Sequence, residues 1–186
     1  MVVIYPTCTE ALLQCSKLKR KHIAFGLVTN KKVKGPFLNG LGGKIEKGET
    51  SLDAACREVR EECGISPPAK DMHWIGNMHI LGPDNKHVVL FVYVWDTKKR
   101  ITLTPKDGEF DSFHWQTIGG TYKACLDAFP EPVDILPCDY YWLPDFLLSK
   151  TPSRGFIRIT EKFGIPSKEG TPFAKIVVSK RKSPVR

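Results

Sequence analysis

Gly43-Lys-Ile-Glu-Lys-Gly-Glu49-Thr50-Ser-Leu-Asp53-Ala-Ala-Cys-Arg57-Glu58-Val-Arg-Glu61-Glu62-Cys63-Gly64-Ile65 is the stretch around which the rest of the chain is read. At about 100° per residue, a helix from about Thr50 to Cys63 gathers Leu52, Ala55, Cys56, Val59 and Cys63 into one apolar stripe. Glu58, Glu61 and Glu62 form a second, narrow stripe beside it. Arg57, Arg60 and Asp53 are expected to face away from both. Carboxylates at this spacing repel one another by about 0.2–0.5 kcal/mol per pair. A face left without interleaved lysines makes sense if a divalent cation supplies the missing charge. Hard cations such as Mg2+ take oxygen ligands and share them with substrate phosphates. Thr50 and Asp53 fit a capping box, and Gly64 follows the last turn, where a left-handed residue is wanted. Ahead of the helix, Asn39-Gly40-Leu41-Gly42-Gly43-Lys44 lets backbone groups approach a metal or a phosphate closely.

The order Gly, five residues, Glu, seven residues, Arg-Glu, hydrophobic, any, Glu-Glu, any, Gly, hydrophobic is the Nudix box. Gly43, Glu49, Arg57, Glu58, Val59, Glu61, Glu62, Gly64 and Ile65 fill it without a departure. The chain therefore resembles the Nudix hydrolases. The resemblance implies an α/β fold: a Nudix α/β/α sandwich with a mixed, partly antiparallel sheet and the box as loop-helix-loop. It implies hydrolysis of a nucleoside diphosphate linked to another group, with Mg2+ as cofactor and Mn2+ as a substitute. Glu58, Glu61, Glu62 and the Gly42 carbonyl would be the metal ligands, for roughly one to three ions. Water would attack phosphorus in line, and Glu61, Glu58 or Glu109 would take its proton. Arg57 would orient the carboxylates, and Gly43 and Lys44 would lie on the substrate side. Glu109, in Lys106-Asp107-Gly108-Glu109-Phe110, stands where the family often supplies a further ligand or base; a solvated loop acid is the alternative.

A narrower similarity concerns the base. Leu38 to Lys44 and Ile135-Leu136-Pro137-Cys138-Asp139-Tyr140-Tyr141-Trp142-Leu143-Pro144 look like segments of the MutT-related oxidised purine nucleoside triphosphate hydrolases. By that match Asn39 would hydrogen-bond the purine edge and Asp139 would be the carboxylate that reads the base. The alternatives are a turn residue for Asn39 and a helix N-terminal residue for Asp139. The chain departs from that pattern at Cys138, where the subfamily has a second Asp, and at Leu38 and Leu136, where it has aromatics. The implied reaction is cleavage of (oxidised) purine nucleoside triphosphates to monophosphate and pyrophosphate. Rival readings are a Nudix hydrolase of capped RNA or dinucleoside polyphosphates, and a non-catalytic nucleotide- or RNA-binding module.

The 186 residues suffice for one domain with a sizeable core, expected over 1–178 with a basic, disordered tail at 179–186. No apolar run approaches the roughly 20 residues needed to span a bilayer, and the N-terminus lacks the layout of a secretory signal. The expected location is cytoplasmic, with nuclear or mitochondrial placement left open, and the expected assembly a monomer or homodimer. Cys8, Cys15, Cys56, Cys63, Cys125 and Cys138 form no Cys-x-x-Cys pair and read as reduced thiols rather than a zinc site. The five histidines show no ligand spacing. The net charge of +8 is uneven: residues 151–186 carry nine Lys or Arg against Glu161 and Glu169, whereas 43–65 is −2. A cationic surround concentrates polyanionic nucleotides, and RNA binding is a further option.

Strands are expected at Ala11–Cys15 and His22–Thr29, joined by a basic turn at Lys17–Lys21. Others are expected at Trp74–Leu81, Val88–Trp95, Asp111–Thr117, Gly155–Thr160 and Phe173–Ser179. Helices are expected near Tyr122–Phe129 and Tyr140–Ser149, and Trp74, Trp95, Trp115 and Trp142 are expected in the core.

Overall fold

The computed structural model describes residues 1–11, 19–28, 37–82, 86–117, 134–135, 142–149, 151–159 and 174–176. Among these, nine strands form one sheet. They are β1 (Val2–Ala11), β2 (Lys19–Val28), β3 (Phe37–Asn39), β4 (Met72–Leu81), β5 (His87–Asp96), β6 (Ser112–Thr117), β7 (Asp134–Ile135), β8 (Ser153–Ile159) and β9 (Ala174–Ile176). The order is β7-β3-β2-β1-β5-β4-β8-β9, with β6 also paired to β2. β1/β5, β4/β8 and β3/β7 are parallel and the other pairs antiparallel. The mixed sheet with helices on its faces is the expected Nudix architecture.

Two helices, α1 (Ser51–Cys63) and α2 (Leu143–Leu148), pack on opposite faces. Alternation along the strands separates two cores. Val3, Tyr5, Ile23, Phe25, Met78 and Val92 meet Trp142, Leu143 and Phe146 of α2. Val2, Ile4, Ala24, Tyr93 and Trp95 meet Ala54, Ala55, Val59 and Cys63 of α1. β1 thus feeds both cores from consecutive residues, which only a central strand does.

Several expectations need correction. The first described strand is Val2–Ala11, whose Val2-Val3-Ile4-Tyr5 run is buried on both faces and pairs with β5; of the strand expected at Ala11–Cys15, residues 12–15 lie outside the described residues. The expected turn at Lys17–Lys21 partly belongs to β2, where Lys19 to Lys21 pair with β1. Trp95 and Trp142 are buried and Trp115 packs against the α1 core, but Trp74 is 45 % exposed. It shares the α1 side of the sheet with Met72, two residues before it, and with Tyr93, its partner on β5. The strands at 72–81, 87–96, 112–117 and 153–159 and the helix containing Pro144 match their expected positions within a few residues. The helix expected near Tyr122–Phe129, the tail at 179–186, and Leu136, Cys138 and Asp139 lie outside the described residues.

Candidate active site and metal centre

Both ends of α1 are fixed by local chemistry. Thr50 Oγ1 accepts the Asp53 amide at 3.1 Å, and Asp53 Oδ2 accepts the Thr50 amide at 3.2 Å. At the other end Gly64 adopts φ 71° and its N–H donates to the Arg60 carbonyl at 2.8 Å. With register fixed and the Ala54–Ala55–Val59–Cys63 side seated in the core, the carboxylates of the last two turns have set directions.

Arg57 does not face away from them as expected: it lies one turn before Glu61, on the same side of the helix. Its guanidinium holds five acceptor atoms on four residues. Nη1 donates to Glu58 Oε1 at 3.0 Å and to Glu61 Oε2 at 2.9 Å. Nη2 donates to Glu49 Oε1 at 2.8 Å and to the Lys44 carbonyl at 2.8 Å, while Nε reaches Glu49 Oε2 at 3.2 Å. The planar fork suits this bidentate grip on Glu49. Arg57 is held more firmly charged, chiefly by Glu49 and then by Glu61 and Glu58. The Glu49 carboxyl is correspondingly held below its usual range, first by the Arg57 hydrogen bond. The acidic face is therefore partly neutralised by protein, and the expectation of an unpaired triplet is corrected on this point.

Glu62 differs from its neighbours. It is 1 % exposed, rather than lying on a solvent-facing stripe. Oε2 accepts the Gly42 amide at 2.9 Å. Oε1 is the buried side-chain oxygen that has no hydrogen-bond partner among the described residues. Burial, reinforced by the negative charge of Glu109, pushes its carboxyl up to about 9 against the pull of the Gly42 amide, with Glu58 and Asp107 adding to the rise. The loop after β5 returns to it: the Lys106 amide donates to the Glu62 carbonyl at 2.9 Å. That places Asp107 and Glu109 so that one oxygen of each lies within 4.8 Å of the others and of Glu62. The Glu109 amide in turn donates to Asp107 Oδ1 at 3.0 Å, setting the loop's turn. Glu109 is also raised, by burial of its carboxyl first and then by Asp107 and Glu58. Glu58 is raised by burial, with Arg57 opposing.

A buried, unpartnered carboxyl oxygen beside two further carboxylates costs stability unless something positive meets it. An all-oxygen donor set of this kind suits a hard divalent cation. The residues present therefore fit the metal that the box implies.

The remaining candidates are placed as follows. Gly42 and Gly43 lie against β1, with the Gly43 carbonyl accepting the Val2 amide at 2.8 Å, and Gly43 faces the Glu58 carboxylate so closely that a Cβ would strike it. Lys44 is exposed and gives its carbonyl to Arg57. Asn39 ends β3, and its Oδ1 accepts the Gly40 amide at 2.9 Å, a turn contact. Asp107 was given no role on sequence. A turn-forming Gly108 between two acids is the signal that marks it, since Gly108 adopts φ 79°. The free cysteines Cys56 and Cys63 line the core side of α1, and burial pushes the Cys63 thiol up to about 12. No helix among the described residues is long and apolar enough to cross a membrane.

Comparison with known proteins gives the setting. Residues 1–131 match the family described as NUDIX domain. The chain is 30 % identical over 113 residues to the phosphatase NudJ of Shigella boydii, covering 60 % of this chain and 72 % of that one. It is 31 % identical over 115 residues to the mouse oxidized purine nucleoside triphosphate hydrolase, covering 60 % of this chain and 64 % of that one. Among solved structures, a Bacillus halodurans MutT protein superposes with a TM-score of 0.56 at 16 % identity, covering 89 % of this chain and 92 % of that one. The NUDIX domain of Shewanella oneidensis NrtR, solved with ADP ribose, gives a TM-score of 0.50 at 12 % identity, with coverage of 79 % and 85 %.

Proposed function

Because the chain belongs to the Nudix hydrolase family, we propose that it is a Mg2+-dependent nucleotide pyrophosphohydrolase that cleaves purine nucleoside triphosphates, oxidised ones included, to monophosphate and pyrophosphate. The observation that carries this reading is Glu62, buried with an unpartnered oxygen and faced by Asp107 and Glu109. Glu58, Glu61, Glu62 and the Gly42 carbonyl would hold the cation, with Mn2+ as a substitute. When bound, the cation supplies positive charge that offsets the phosphate oxygens and the charge that develops on the leaving phosphate. Arg57 positions Glu58 and Glu61 and ties them to the Glu49 loop. Gly43 leaves room for Glu58 to stand against the glycine loop. Lys44 offers a cation on the substrate side. Glu109, Glu58 or Glu61 accepts the proton of the attacking water, and Glu109 has a raised carboxyl suited to proton transfer. The single domain is proposed to span 1–178, with 179–186 as a tail dispensable for this reaction.

The test is a substrate panel with purified protein and Mg2+: normal and 8-oxo purine triphosphates, dinucleoside polyphosphates and capped RNA. Monophosphate and pyrophosphate from the triphosphates, at the highest kcat/KM in the panel, is the expected result. A higher kcat/KM on capped RNA or dinucleoside polyphosphates would replace the substrate assignment and keep the hydrolase. The surplus of Lys and Arg in 151–186 is the observation that favours that second reading.

Two substitutions probe the parts separately. Gly43→Ala should leave stability within about 1 kcal/mol of wild type, because its new Cβ meets the far end of a flexible side chain. Turnover should nevertheless fall on the order of a hundredfold, since Glu58 must leave its place. Denaturant melts and initial rates check both halves, and an unchanged rate would remove Glu58 from the site. Asp139→Asn should alter base selection rather than chemistry. Loss of a hydrogen bond to a charged partner is worth about 1.5–3 kcal/mol, which is roughly tenfold to a hundredfold in the ratio of kcat/KM for paired normal and 8-oxo substrates. Equal ratios in variant and wild type would return Asp139 to a helix-end role.

A further inference from the structure

The sheet face that carries α1 continues past the helix. The first turn of α1 meets β5 where Ser51 Oγ lies 2.8 Å from Tyr93 Oη. Beyond that contact, on β5, β4 and β8, a different set of side chains comes to the surface. Trp74 lies opposite Tyr93 and Asn77 opposite Phe91. On the other edge of β4, Arg154 lies beside Asn77 and Phe156 beside His79. Side chains at paired positions of neighbouring strands share a face, so these residues form one patch.

Its composition is unusual for a solvated sheet. Trp74 and Phe156 are 45 % and 37 % exposed, the exposed aromatics among the described residues. Trp74 Nε1 donates to Asn77 Oδ1 at 2.9 Å, which holds the indole against the sheet. His79 and His87 stack, with ring centroids 5.2 Å apart and planes 20° from parallel. Their facing nitrogens, Nδ1 and Nε2, are 3.1 Å apart, so one ring donates and the other accepts. Burial first, and then the electrostatic influence of the neighbouring ring and of Arg154, hold the His79 imidazole below its usual range. β4, β8 and β9 contain Arg154, Arg158 and Lys175 and no Asp or Glu. The single acid of β5 is Asp96 at its far end, where it pairs with Lys98 at 2.7 Å.

Flat rings on a rigid sheet, with guanidinium charge beside them and no acid on β4, β8 or β9, complement a chain of unpaired bases on a phosphate backbone. Bases stack on aromatic faces whatever their identity, and cations neutralise the phosphates between them. An apolar protein surface would instead leave the imidazoles and Arg154 to be desolvated without partners. We propose that this face, formed by Trp74, His79, His87, Arg154 and Phe156, binds single-stranded nucleic acid, with bases stacked on the rings and a phosphate at Arg154. The surface is separate from the carboxylate site and does not depend on the substrate assigned to it.

The experiment is fluorescence anisotropy of the full chain with labelled RNA and DNA single strands of about 12 nucleotides, within the usual span of such sites. Wild type should bind both strands, and a preference for RNA would add a contact to the 2′-hydroxyl. Trp74→Ala and Phe156→Ala should each weaken binding by roughly fivefold to a hundredfold, while Trp74→Phe, which keeps a ring, should restore most of the loss. Arg154→Gln should lower the slope of log K against log salt by about 0.7. Nucleotide hydrolysis should be unchanged in all four, while the alanine variants should lose some Tm, because Trp74 and Phe156 are each more than half buried. No binding by wild type would overturn the proposal. So would wild-type affinity in the Trp74→Ala/Phe156→Ala double variant together with an unaltered salt slope in Arg154→Gln. Sedimentation showing a dimer that the double variant loses, with oligonucleotide binding untouched, would assign the face to a second copy of the chain instead.

Discussion

Glu62→Gln is expected to reduce nucleotide turnover by at least about a hundredfold while leaving the fold intact. Partners one step removed from a metal commonly cost 10–100-fold when lost, and a direct ligand should cost no less. The exchange is nearly isosteric, and the Gln carbonyl can still accept the Gly42 amide that now meets Oε2. What it removes is the charge that Oε1 brings to Asp107 and Glu109. The same variant carries a pH signature in the metal-free protein. Glu62 ionises near its ordinary value of 4.5 when unfolded and near about 9 when folded. Between those values the folded protein holds a proton that the unfolded chain has released. That proton's contribution is fully present below pH 4.5 and is lost progressively as pH rises towards 9. Gln has no proton to lose. In the absence of metal, Glu62→Gln should therefore gain Tm relative to wild type as pH rises from 5 to 9. Parallel Tm curves for the two proteins would show that Glu62 is not the buried acid described, and wild-type turnover would show that it is not a ligand.

The second large effect is expected at Arg57. Arg57→Ala strands Glu49, Glu58 and Glu61 without their common partner and leaves the Lys44 carbonyl unmet. Breaking a buried pair costs about 3–5 kcal/mol. Here Glu61 is about half exposed, so about 2 kcal/mol is the expected loss of metal-free stability. Turnover should fall on the order of a hundredfold, because Glu58 and Glu61 lose their orientation without being removed. Arg57→Lys should not restore it, since one ammonium cannot reproduce the fork on Glu49 while also reaching Glu58 and Glu61. Mg2+ should stabilise Arg57→Ala by more than it stabilises wild type, because added cations then offset unpaired acids. Denaturant melts with and without Mg2+, paired with initial rates, test this directly. If the alanine variant matches wild type in both, Arg57 is a surface residue with incidental contacts.

These expectations show where sequence was sufficient and where it was not. α1 was legible because its stripe, its capping box and its left-handed Gly64 are all local, and each agrees with the others. The contact of Arg57 with Glu61 follows from i,i+4 spacing, but its grip on Glu49 and the Lys44 carbonyl joins the helix to the loop before it and is not encoded by helical angle. Asp107 was missed because its approach to Glu62 depends on a backbone bond between distant segments, Lys106 to Glu62, which no local pattern encodes. β1 was misplaced because a strand buried on both faces shows a continuous apolar run rather than alternation. Residue type alone places Trp74 in the core; it faces the α1 side opposite Tyr93 and is 45 % exposed there, which residue type does not encode. The family itself was legible from the box, and the match over residues 1–131 agrees with that resemblance.

The cation site at Glu62 is the centre of this account, and titration calorimetry of the metal-free protein with Mg2+ tests it most directly. Run at pH 7.5 in buffers of different ionisation enthalpy, it counts the protons released on binding. A carboxyl held at about 9 is protonated at that pH and must give up its proton to become a ligand. Saturable Mg2+ binding with release of about one proton is expected for wild type, and a release close to zero for Glu62→Gln. Saturable binding with no proton released by wild type, or no binding at millimolar Mg2+, would contradict it.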